Sequence, residues 1–121
     1  MHRLVVATIV VLAISGCSGS EATCRPDGTE LRVIADDHHF DTNCLAAPAD
    51  QEFTIAFRND DTSSHGVHNL AIRDGGTVLF DGEALRPGGT SVVYEVQPLP
   101  AGNYAFRCNN HPFMGGTFVV N

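Results

Sequence analysis

The sequence predicts an all-β fold, a Greek-key sandwich or barrel of about seven or eight strands in a single domain. Three observations carry that prediction. Apolar and polar residues alternate in short runs from residue 30 onward. Clusters of Gly, Pro, Asn and Asp stand between the runs. Beyond the first sixteen residues no stretch sustains a 3.6-residue apolar period, and 12 Gly with 6 Pro favour turns over long helices.

Each run places a small apolar set on one face. Glu30–Ala35 does so with Leu31, Val33 and Ala35, and Phe53–Arg58 with Phe53, Ile55 and Phe57. Asn59-Asp60-Asp61 turns the chain. Val67–Arg73 follows, aligning His68 with Leu70 and Ile72 before Asp74-Gly75-Gly76. After Pro87-Gly88-Gly89, Thr90–Val96 aligns Val92, Tyr94 and Val96. Pro98 to Gly102 leads into Asn103–Cys108, where Tyr104, Phe106 and Cys108 share a face; Gly115-Gly116 then precedes Phe118 and Val120. The period of two therefore points His68 and Cys108 inward from strand ends. A single inward His is usually a hydrogen-bonded core residue. Two inward groups of metal-binding type read differently.

The first residues form a targeting segment. Leu4 to Ile14 is an eleven-residue apolar run behind His2 and Arg3, too short to span a bilayer and suited to a signal peptide. Ile14-Ser15-Gly16-Cys17 then resembles the lipobox of bacterial lipoproteins. That resemblance implies cleavage after residue 16, a lipid on Cys17, and anchoring on the extracytoplasmic side of a bacterial membrane, in the periplasm or at the cell surface. The alternative is an ordinary secretory signal that leaves Cys17 as a thiol. The expected organisation is a signal peptide over 1–16, a lipid-anchored tether over 17–29 and one domain over 30–121.

The 121-residue chain has 7 basic and 14 acidic residues and a net charge of −7, with every base an Arg. Processing would remove Arg3 and leave a 105-residue chain at −8, enough for one core. Such an acidic chain disfavours nucleic acid and docking on anionic lipid through a basic face. The acids form no long run and read as a solvated surface able to steer a basic partner. Of the 4 Cys, Cys17 is assigned to the lipid. Cys24 and Cys44 flank the first strand-like run and are read as a disulfide, against free or metal-bound thiols. Cys108 is then left over, and a lone thiol outside the cytosol needs a reason.

Cys108-Asn109-Asn110-His111-Pro112-Phe113-Met114 supplies that reason. Thiolate, imidazole and thioether recur at every third residue of one loop and can converge on one point. A thiolate, imidazoles and a weak thioether suit copper in electron transfer, because they serve both Cu(I) and Cu(II). Zinc would accept Cys and His but gains nothing from Met. No phosphate loop or catalytic triad is present, so the chain is not read as an enzyme.

From Leu31 to Val120 the chain resembles the cupredoxins, small blue copper proteins of the plastocyanin and amicyanin kind. The resemblance rests on His68-Asn69 entering a strand, on Tyr104-x-Phe106-x-Cys108-x-x-His111 with Met114 after it, and on Phe53 to Asp61 as a strand ending in Asn-x-Asp. Cys-x-x-His-Pro-Phe-Met is closest to the amicyanin ligand loop. The resemblance implies the cupredoxin fold and one type 1 copper ion on His68, Cys108, His111 and an axial Met114. It implies that Asn69 ties the His strand to the Cys loop and turns its backbone N–H toward the sulfur. It also implies an electron-transfer patch of His111, Pro112 and Phe113. Where plastocyanin and amicyanin usually carry Pro, this chain has Asn110, whose N–H is expected to be a second donor to the Cys108 sulfur and to raise the potential relative to a Pro variant.

His65 competes with His68 as a ligand, but only His68 shares the inward face and precedes Asn. His38-His39 sits among Asp36, Asp37 and Asp41 and is expected to be a solvated loop, with a weak surface metal site as the alternative. The reading that follows is a membrane-tethered, extracytoplasmic, monomeric one-electron carrier, its partner a cytochrome, oxidase or dehydrogenase. A copper-capture or copper-delivery protein is the second reading, disfavoured by the presence of only 2 Met. A metal-free interaction domain is the third.

Overall fold

The computed structural model describes residues 24–121. The expected signal peptide, Cys17 and the tether up to residue 23 lie outside the described residues. Among the described residues there are nine strands and no helix. They are β1 (Glu30–Asp36), β2 (His39–Phe40), β3 (Cys44–Ala47), β4 (Phe53–Asn59), β5 (Ala71–Asp74), β6 (Thr77–Asp81), β7 (Thr90–Val96), β8 (Gly102–Arg107) and β9 (Gly115–Val120).

The strands form two sheets, ordered β2-β1-β4-β7 and β3-β9-β8-β5-β6. This is the Greek-key β-sandwich the sequence predicts. Two pairings are parallel, β1 with β4 and β3 with β9; the others are antiparallel. Register brings Val33, Phe57 and Val92 into line, and likewise Leu31, Ile55 and Tyr94. These rows, set by strict alternation along β1 and β4, face Leu45, Ala47, Ile72, Phe106, Phe118 and Val120 of the other sheet. Phe57 stacks on Tyr94 at 5.4 Å between ring centroids, and Phe53 meets Phe118 at 5.5 Å. Each such buried aromatic side chain contributes roughly 1.5–3 kcal/mol through the apolar area it removes from water.

The expected strand over Val67–Arg73 is shorter in the structure. Residues 67–70 run irregularly, and His68 makes only an isolated bridge to Leu85 before β5 begins at Ala71. His68 exchanges two backbone hydrogen bonds with Leu85, at 2.8 and 3.1 Å, which hold it inward without a ladder. Cys44 is bonded to Cys24, closing a 20-residue separation and fixing the start of the described chain to β3.

Candidate metal centre

Two loops at one end of the sandwich build the site. The first leaves β4 at Asn59. Its side chain is fully buried and donates to the carbonyls of Gly66 (2.7 Å) and Leu85 (3.0 Å), while its Oδ1 accepts the Asp61 N–H (3.1 Å). A hydrogen-bonded Asn satisfies these buried backbone groups and so sets the path from β4 to His68. The second loop joins β8 to β9. The Cys108 N–H donates to the Met114 carbonyl (3.0 Å), and the Met114 N–H donates to the His111 carbonyl (2.9 Å). The loop therefore returns on itself, bringing 108, 111 and 114 together.

Asn69 joins the two loops. Its Oδ1 accepts the Asn109 N–H at 2.8 Å, and its amide donates to the Gly82 carbonyl at 3.0 Å. Asn109 adds a bond of 2.6 Å from its own amide to Asp81 Oδ1. Neither the Asn69 nor the Asn110 backbone N–H bonds to the Cys108 sulfur among the described residues. The Asn110 side-chain amide donates to the Val67 carbonyl at 3.3 Å, a further strap between the two loops.

The donor atoms of His68, Cys108 and His111 all lie within 4.8 Å of one another. His68 Nδ1 is 3.8 Å from Cys108 Sγ, and His111 Nδ1 is 3.7 Å from it. An ion held about 2.3 Å from a thiolate and about 2.0 Å from an imidazole nitrogen keeps those donors roughly 3.5–3.8 Å apart. The spacing fits a metal. His68 and Cys108 are buried, His111 is half-buried, and Met114 is 3 % exposed beside them. Burial lowers the His111 pKa, and the neighbouring His68 and His38 rings lower it further, so the imidazole is kept neutral and its lone pair free. One thiolate, two imidazoles and a thioether form a soft, mixed set whose chemistry suits copper.

Two placements differ from the sequence expectations. Asp61, read as one of the solvated acids, is only 2 % exposed. Its Oδ2 accepts the His68 Nε2–H at 2.8 Å, and its Oδ1 accepts the Ser63 N–H at 2.9 Å. The bond from His68 is the main cause that holds its pKa well below the usual carboxylate range. His38 lies in a turn and is only half-buried, with its ring directed toward the other imidazoles. Asp37 and His38 take positive φ (46° and 59°) in the two-residue turn between β1 and β2. That turn lays the His38 ring 4.6 Å from His111 and 5.3 Å from His68, with its Nδ1 3.4 Å from Asp61 Oδ2. The neighbouring His39 is exposed and contacts the Asp37 carbonyl. His65, the rival ligand, is exposed, and its Nδ1 meets Ser64 Oγ at 3.3 Å. Pro112 and Phe113 face outward beside His111, with Phe113 fully exposed.

The Cupredoxin-like domain profile matches residues 4–120. The chain belongs to the cupredoxin-like family. No curated protein matches this cupredoxin by sequence. Solved structures do resemble it in fold. Reduced auracyanin of Roseiflexus castenholzii superposes with a TM-score of 0.66 at 19% identity, over 77% of this chain and 97% of that one. Auracyanin A of Chloroflexus aurantiacus, described as a "blue" copper protein, gives 0.63 at 20% identity, over 78% and 100%. Amicyanin of Paracoccus versutus gives 0.54 at 24% identity, over 75% and 80%.

Proposed function

We propose that this cupredoxin is a type 1 copper protein that carries single electrons between redox partners. The observation that carries this reading is the convergence of His68 Nδ1, Cys108 Sγ and His111 Nδ1, with Met114 buried beside them. Bound copper would supply a one-electron Cu(II)/Cu(I) couple. Cys108 would offer its buried sulfur to that ion, His68 and His111 imidazole nitrogens, and Met114 a weak thioether. The Asn59, Asn69 and Asn109 hydrogen bonds fix the ligand loops from both sides, so the donors need move little when charge changes. The site has no need of a general base or nucleophile, because no substrate bond is made or broken.

Electrons would pass at the end of the molecule where His111 is half-buried and Pro112 and Phe113 are exposed. A small, transient interface suits such exchange. Exposed Asp36, Asp37 and Asp41 on the adjoining β1–β2 segment suit a basic partner, such as a cytochrome, an oxidase or a dehydrogenase. We propose in addition that the domain, from residue 30 to 121, is exported and lipid-anchored at Cys17. Six residues lie between that position and Cys24, so the tether would reach at most about 25 Å from the bilayer surface.

The test is a visible spectrum of the purified protein with one equivalent of Cu(II), followed by reduction and reoxidation. An intense blue thiolate band that bleaches and returns is expected. Copper reduced once and then held as Cu(I) would favour copper capture or delivery. Cys108→Ser is expected to abolish the band; its survival would remove the thiolate from the site.

A further inference from the structure

We infer that Asp61 is a positioning residue of this centre: its buried carboxylate, fixed behind His68, sets which imidazole nitrogen faces the thiolate and biases the site toward the higher copper charge. The inference rests on the copper-carrier reading above. His68 is fully buried, and the hydrogen-bond partner of its Nε2 is Asp61 Oδ2 at 2.8 Å. A carboxylate only accepts, so Nε2 carries the proton. Nδ1, 3.8 Å from Cys108 Sγ, then keeps its lone pair for the metal.

The carboxylate has no freedom to leave this position. Ser63 N–H holds Oδ1 at 2.9 Å, and His38 N–H holds Oδ2 at 3.1 Å. The backbone on either side is fixed by Asn59 Oδ1 on the Asp61 N–H and by the Gly88 N–H, which donates to the Asp61 carbonyl at 2.9 Å. Gly66 packs directly on the side chain, where a Cβ would stand 2.5 Å from the Asp61 carboxyl carbon. The basic side chains within 4 Å of the Asp61 carboxylate among the described residues are the imidazoles of His38 and His68, with no guanidinium to cancel its charge. A buried charge is poorly screened by salt. One bond behind a ligand, it favours the more positive copper state and lowers the reduction potential.

Asp61→Asn removes the charge while the amide oxygen still accepts the Nε2–H and the His38 N–H, and the Ser63 N–H bond is lost because the amide NH2 faces it. The variant is expected to fold and to keep its blue band. Its ratio of Cu(II) to Cu(I) affinity should fall at least tenfold, which raises a one-electron potential by 59 mV or more. A ratio within twofold of wild type would overturn the charge role. Nitrogen NMR of the metal-free wild type tests the tautomer without copper, and it decides the matter if the variant does not fold. A protonated Nε2 and bare Nδ1 on His68 are expected; the reverse would overturn the inference. Absence of a reversible couple in wild type would instead sink the carrier reading, leaving the NMR result to stand by itself.

Discussion

Met114 shows how a side chain can be separated from its backbone at this site. Its carbonyl and N–H close the loop onto Cys108 and His111, and neither bond involves the thioether. Met114→Leu keeps nearly the same volume in a position 3 % exposed, so the fold should tolerate it at less than about 1.5 kcal/mol. The weak thioether donor would be lost while the Cys108 sulfur and the imidazoles stay. The variant should therefore retain copper and show a shifted potential by voltammetry, since a donor that responds to the copper charge is gone. An unchanged potential would place the sulfur outside the site. Asp61 illustrates the opposite limit, because its whole effect arises from distance. Sequence marks Asp61 as the close of an Asn-x-Asp strand end, and nothing local marks it as the partner of a His seven positions on.

At the scale of the element, β7 links core packing to alkaline stability. Tyr94 is 5 % exposed, stacks on Phe57, and donates its hydroxyl to the Glu83 carbonyl at 2.6 Å. Burial is the main cause that pushes its pKa well above the ordinary tyrosine value. The unfolded chain would ionise this hydroxyl near about pH 10, whereas the folded chain keeps it neutral. Its contribution is thus complete below about pH 10 and is lost as pH rises from there toward the folded value. Tyr94→Phe should cost about 1 kcal/mol at neutral pH through the lost hydrogen bond. It should also flatten the decline of urea midpoints between pH 9 and 11; parallel slopes in the two proteins would refute the linkage.

The elements also divide by how plainly they could be read. β1, β4 and β7 bury alternate residues on one side of one sheet, and period two reveals them. β3 buries three consecutive residues, Leu45 to Ala47, and offers no alternation. β6 keeps Thr77 to Leu79 exposed at the sheet edge, so no apolar face announces it. β2 has two residues and exists because Asp37 and His38 accept a left-handed turn. The ligand loop was legible because its three donors are close in sequence. The arrival of His38 depended on a hairpin too short to show any pattern.

For the whole molecule, the Cys24–Cys44 bond joins the start of the described chain to an edge strand of the second sheet. A closed loop of that length is worth roughly 3 kcal/mol in the chain-entropy account. Replacing both cysteines with Ala should lower the melting temperature by about 10–20 °C for a domain of this size. A change under about 3 °C would mean that the unfolded chain is already restricted there.

The parallel pairing of β3 with β9 sets Cys44 opposite Thr117, so the second sheet closes only with the final strand. Cys108, His111 and Met114 lie just before that strand, on the loop it anchors. A chain emerging from its amino end would thus present His68 long before the thiolate has a place to stand. Order of assembly then matters: until β9 is added to the sheet a metal meets scattered single donors, and the complete set forms with that strand in place.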